Sequence, residues 1–334
     1  MRPISCGRLG ITLAGVLAFI GVSAKADTFG SGANAFTIDF VNVGNAGNGK
    51  DLGAGGGIYS SPLGGVTYSY RMGTYEIPQD AITKATSLGL ANVAAGAWSG
   101  SQPAANMSWY EAAAFVNWLN TSTGHHIAYD LTFHLRWSQA AWSSAEAWQA
   151  GGENIFRHKD AYYFLPNEDE WYKAAFHKND GASANYWDYA TGSNSVPDAL
   201  DFEGDAVFDA VFYDLDRFIV APDPSQPNAV NNVGLASPYG TFGQNGNVWE
   251  WEESILPFRL IPPEDEDDHR GVSGGFWRTF EFDLRSNAGS EEVPEGSEES
   301  IGFRVASIPE PSSALLLLGS GFVWLLKGRC RPGC

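Results

Sequence analysis

Gly246-Asn247-Val248-Trp249-Glu250-Trp251, followed later by Gly302-Phe303-Arg304-Val305, is the stretch on which the reading of this sequence turns. The indoles of Trp249 and Trp251 are expected in the core, and the carboxylate between them is expected to be buried and bonded to nearby backbone N–H groups. Working outward, Tyr239-Gly240-Thr241 precedes this stretch and Gly274-Gly275-Phe276-Trp277 lies between its two parts. Further upstream stand Phe164-Leu165-Pro166-Asn167-Glu168-Asp169-Glu170-Trp171, Met107-Ser108-Trp109-Tyr110-Glu111-Ala112 and Tyr70-Arg71-Met72-Gly73-Thr74-Tyr75-Glu76-Ile77.

Local signals place elements on this frame. Ser108 with Glu111 forms a capping box, and Trp109, Ala112, Phe115, Val116 and Leu119 recur at helical spacing through Asn120. Asn167 with Glu170 opens a second helix that runs through Phe176 and buries Trp171, Ala174 and Ala175. In both helices the acidic residue is read as a cap. Pro78 suits the first turn of a short helix to about Thr86. Phe36 to Val41 alternates as a strand, after a polar leader from Asp27, and Val66 to Met72 reads as a second strand. The Gly/Asn-rich run 44–57 is a hairpin connection, since it has neither GxGxxG nor Walker spacing. Ser143 to Trp148 is expected to form a short helix. The run 179–239, with Pro222, Pro224 and Pro227, reads as loops with short strands, and Glu264 to Asp268 as a solvated loop. No internal repeat is visible.

Composition narrows the function classes. The chain carries a net charge of −19; residues 1–26 contribute +3 and residues 309–334 contribute +2, which leaves −24 on the stretch between. A domain this acidic repels nucleic acid and anionic lipid and favours cations or neutral ligands. Cys6, Cys330 and Cys334 are the three cysteines, so residues 27–306 have neither a disulfide nor a thiol ligand. The 12 Trp and 13 Tyr argue against disorder, and with 39 Gly they point to a mixed α and β, loop-rich domain.

Together the ordered segments resemble the sulfatase-modifying-factor family, whose founding members are formylglycine-generating enzymes, over about Phe36 to Ala306. The resemblance implies an α+β fold, a C-type-lectin-like variant low in regular secondary structure, that commonly holds calcium. Carried over by position, calcium would be held by the Glu250 carboxylate and the carbonyls of Gly246 and Val248, and a second site would begin at Asn185-Tyr186. Gly243 stands where the family often has a side-chain amide, so one expected ligand is missing. The family's enzymes use two cysteines to bind copper and activate oxygen. The matching positions here are Thr279 and Leu284, neither of which can form the thiolate that Cu(I) requires, and Phe276 replaces a common serine. The family's oxidation and its copper are therefore not expected. His125, His126, His134, His158, His177 and His269 show no metal-ligand spacing, and His158 is read as a loop residue.

The two ends carry sorting patterns. Arg2 and Arg8, the apolar run Leu9 to Val22 and Ala24-Lys25-Ala26 read as a signal peptide spanning residues 1–26. Pro309-Glu310-Pro311, the apolar run Ala314 to Leu326 and the basic Lys327, Arg329 and Arg331 resemble a PEP-CTERM sorting signal. Residues 307–334 are thus expected to be a sorting segment with a short transmembrane helix, processed by sorting machinery at the membrane of a Gram-negative-type bacterium. The resulting expectation is an exported, envelope-attached member of the family that binds an extracellular polysaccharide or peptide, with Phe276, Trp277, Arg278 and Arg285 lining a groove. The competing expectations are an enzyme of different oxidative or hydrolytic chemistry and a structural matrix protein.

Overall fold

The computed structural model describes residues 25–54, 62–134, 136–199, 209–214, 219–220, 225–256 and 269–309. Both sorting segments lie outside these residues except for Lys25, Ala26 and residues 307–309, as does the acidic run 264–268. Among the described residues no helix is long and apolar enough to cross a membrane.

In chain order the first elements are β1 (Lys25–Phe29), β2 (Phe36–Val43), β3 (Tyr70–Gly73), α1 (Gln79–Ser87) and α2 (Trp109–Ser122). There follow β4 (Asp130–Phe133), β5 (Trp137–Ala140), β6 (Ala147–Trp148), β7 (Asn154–His158), β8 (Tyr163–Phe164) and α3 (Glu168–Phe176). Short pieces β9 (Asp198–Ala199), β10 (Asp209–Ala210), β11 (Tyr213–Asp214) and β12 (Ile219–Val220) lead to β13 (Trp249–Leu256), β14 (His269–Ser273), β15 (Ser290–Glu292), β16 (Ile301–Gly302) and β17 (Ala306–Ser307).

Two sheets organise the molecule. The first has the order β1-β2-β3-β17-β8 and the second β15-β14-β13-β16, in which β13 and β16 run parallel. The alternation read in β2 is real over its first five residues: Phe36, Ile38 and Phe40 are buried while Thr37 and Asp39 are exposed. Its inner face meets α2, whose Phe115, Val116 and Leu119 join Trp251 and Phe303 in one core. Each such side chain contributes about 1.5–3 kcal/mol when fully buried.

Both capping boxes form as the sequence indicates, at Ser108 and at Asn167, each with its side chain accepting from the residue three on. Several other expectations are corrected. Pro78 is the residue before α1 rather than part of its first turn. The polar leader is strand β1, pinned because Asp27 accepts from Arg71 at 2.6 and 3.1 Å and from the Tyr163 hydroxyl at 2.9 Å. The strand expected from Val66 begins only at Tyr70, because the Val66 backbone is bonded to Gly47 and to the Asn48 side chain instead of a ladder. Ser143 to Trp148 makes one turn and then strand β6, since Trp148 is drawn against Tyr68, Phe164 and Arg157. His158 ends β7, buried, with its ring stacked on His126.

Candidate functional site

Glu250 lies on β13, fully buried, and its environment is side-chain rather than backbone. Arg304 grips it through two contacts of 2.5 Å, and the Trp171 indole N–H donates to it at 2.7 Å. The same guanidinium donates to the carbonyls of Gly73 and Phe242, so one residue ties both sheets to the loop before β13. A second carboxylate, Glu76, stands beside this pair. Its Oε1 accepts from Asn247 Nδ2 at 2.9 Å, whereas its Oε2 is buried with no hydrogen-bond partner. Burial, and then the Glu250 charge, push Glu76 up to about 8 against the opposing pull of Arg304. A Cβ on Gly243 would lie 2.6 Å from Glu76 Oε2, so the carboxylate fills the space that a side chain at 243 would need.

Gly246 and Asn247 reach this place through left-handed backbone, with φ of 87° and 63°. Among the described residues no three His, Cys, Asp or Glu side chains converge as a metal cluster. Asn185 is elsewhere and exposed: its Nδ2 donates to Asp180 at 2.8 Å, and the Ser183 hydroxyl caps the other oxygen of the same carboxylate.

The segment after Gly274-Gly275 brings positions 279 and 284 together. A Cβ on Gly275 would lie 2.8 Å from both Thr279 Oγ1 and Leu284 Cδ2. The two residues thus flank one glycine, but one presents a hydroxyl folded back on its own turn, donating to the Phe276 carbonyl at 2.9 Å, and the other a buried isobutyl group.

The four residues expected to line a groove differ in exposure, and Arg285 is the one that lines the polar cleft beside Tyr189. Trp277 is core, 1% exposed, edge-on to Trp98. Phe276 is half-buried beside it, and Arg278 is exposed. Arg285 lines a polar cleft of about 340 Å³ with Asp51, Tyr186, Asp188, Tyr189 and Asn194. Its Nε donates to the Tyr189 hydroxyl at 3.1 Å, which holds the side chain in place with the two terminal amino groups left over. Asp51 is steadied by the Tyr172 hydroxyl at 2.7 Å and by the Gly53 N–H at 2.8 Å. Sequence reasoning did not find Glu76, although it stands inside a quoted segment, nor Asp51, Asp188 and Asn194, which only the fold brings beside Arg285.

The architecture is that of an α+β domain with few helices and curled sheets, its buried centre made by Glu250 and Arg304. The chain belongs to the family described as the sulfatase-modifying factor enzyme 1-like domain, which matches residues 69–308. Among solved structures, it is similar to variable protein 1 of Treponema denticola, with 20% identity and a TM-score of 0.52, covering 86% of this chain and 100% of that one. Two others are a protein described as CarF, at 15% identity and TM-score 0.47, covering 82% of this chain and 99% of that one, and PvdO from Pseudomonas aeruginosa, at 14% and 0.48, covering 86% and 100%. No curated protein matches the sequence.

Proposed function

We propose that this member of the family does not perform cysteine-based oxidation and instead binds an extracellular polysaccharide or peptide at the cell envelope, in the cleft beside Arg285. The observation that carries this reading is the pair Thr279 and Leu284 around Gly275, in a chain with no cysteine between residues 7 and 329. A thiolate pair is the soft donor set that copper needs, and a hydroxyl with an aliphatic chain cannot replace it. The cleft supports binding because it gathers a guanidinium, Arg285, and two carboxylates, Asp51 and Asp188, that make no ion pair with one another. Export and attachment rest on the two terminal patterns, and the acidic charge of the stretch between them agrees with neutral or cationic partners.

A structural calcium ion belongs to the same proposal. Glu250 is a poor ligand, since Arg304 and Trp171 already take its oxygens. The open oxygen is Oε2 of Glu76, whose carboxyl burial and the Glu250 charge keep protonated near neutral pH, and a hard cation bound there would take the place of that proton. Glu76 and the carbonyls of Gly246 and Val248 would hold the ion, and its part is structural.

The test is a survey of glycans and peptides on the full-length chain, run beside Arg285→Ala. Saturable binding that weakens in the variant supports the reading. Uniform absence of binding, or an oxygen-dependent conversion of a peptide cysteine, overturns it.

A further inference from the structure

The cleft beside Arg285 holds a donor and an acceptor apart. Arg285 lines the cleft and has one hydrogen-bond partner, the Tyr189 hydroxyl on Nε, which leaves its two terminal amino groups for a ligand. Asp188 lines the same cleft, exposed, and its charge is felt at Arg285 without an ion-pair contact between them. Opposed charges on exposed, flexible side chains would ordinarily close on each other. Here Arg285 is held by Tyr189, while Asp188 is fixed through its backbone, its N–H donating to Asn194 Oδ1 at 3.1 Å and its carbonyl accepting from Ser286 N–H at 2.8 Å.

A ligand group that fits between them must accept from a guanidinium and donate to a carboxylate. A hydroxyl does both, and adjacent hydroxyls on one ring do so at fixed spacing. Other features of the cleft narrow the class. Its volume of about 340 Å³ suits one or two sugar rings. Half-buried Tyr186 brings aromatic carbon to the lining, against which the C–H side of a sugar can rest. Val196 is the aliphatic residue of the lining, so the apolar pockets that read peptide side chains are missing from it. Asp51 and Asp188 outnumber Arg285, which disfavours an acidic sugar.

The geometry points to a neutral glycan unit as the ligand, recognised directly by Arg285 and Asp188 through a pair of neighbouring hydroxyls. This rests on the ligand-binding reading above and makes it specific. Calorimetric titration of the full-length chain would use neutral hexose oligosaccharides, a uronate oligosaccharide and a peptide library, each with and without EDTA. The expected result is binding of a neutral oligosaccharide, unchanged by EDTA and weakened about tenfold or more in Asp188→Asn and in Arg285→Ala. Both residues are exposed, so circular dichroism should show both variants folded. Preference for the uronate or a peptide overturns this inference while leaving the binding reading intact. Loss of binding with EDTA, or binding indifferent to both substitutions, also overturns it. Failure of every probe to bind removes both.

Discussion

Arg304 and Glu250 form a fully buried, two-contact ion pair that joins the link between β16 and β17 to the start of β13. Such a pair is costly to assemble, and its loss exposes that cost. Removing one partner leaves an uncompensated charge in the interior, which destabilises by about 3–5 kcal/mol. Arg304→Met is expected to lose that much in urea unfolding. The double variant Arg304→Met/Glu250→Gln should recover part of the loss, because no charge is then stranded.

Arg157 is another buried cation, and it serves two carboxylates at once. It donates to Glu170 at 2.7 and 3.0 Å and to Glu253 at 2.8 Å, and it lies over the Phe164 ring at 3.8 Å. The group links α3 to β13 through β7. Arg157→Lys keeps the charge but cannot fork between two acids. The substitution is therefore expected to cost about 2–4 kcal/mol, read as a lowered thermal midpoint, while the exposed Lys84–Asp80 pair can be removed for less than about 1 kcal/mol.

These networks mark where sequence reading stops. The caps at Ser108 and Asn167 were legible because their partners are three residues away, and the alternation of β2 because burial has the strand's own period. Arg304 and Glu250 each stood in a segment that identified the family, yet nothing local says that they pair. Arg157 stands beside His158, read from the sequence as a loop residue, and its acids are 13 and 96 residues away. The cleft has the same origin: Asp51, Asp188 and Arg285 come from three loops that the chain must fold to assemble. Ser143 to Trp148 went the other way, where a helical pattern yielded to the packing of Trp148.

Backbone conformation gives a sharper test. Gly246 has φ of 87°, and a Cβ there would sit 1.9 Å from the Val211 carbonyl oxygen, at the bridge that holds this loop. Gly124 has φ of 82° but open space around it. Gly124→Ala should cost about 1–2 kcal/mol, the strain of a left-handed residue alone. Gly246→Ala adds a backbone clash, so it should cost well beyond that, about 4 kcal/mol or more, or prevent folding. Denaturant unfolding of the pair compares them directly.

Glu168 supplies a pH dependence. Burial, followed by the Asp169 charge, pushes it up to about 7, against the usual range near 4.5. In that window the unfolded chain has released a proton that the folded chain keeps, so this group's contribution to stability falls as pH rises from about 4.5 through 7. Partial solvent access limits the effect to on the order of 1–2 kcal/mol. Glu168→Gln should gain on the parent across that interval and run parallel to it above pH 8, measured as the difference in urea midpoint.

Calcium removal tests the role proposed for Glu76. An ion held only by the folded chain stabilises by about 2.7 kcal/mol at a hundredfold excess over its dissociation constant. Chelator-treated protein should therefore melt several degrees lower and recover when calcium is returned. Glu76→Gln keeps the hydrogen bond from Asn247 but removes the carboxyl that must ionise to hold the ion, so it should abolish the calcium response at little cost to the metal-free midpoint. If Glu250 were the ligand instead, Glu76→Gln would leave the response intact. Metal content by mass spectrometry, read beside the melting curves, separates an ion bound at this place from a general effect of ionic strength, since magnesium at equal concentration should give the weaker shift in a carbonyl-rich, irregular cradle.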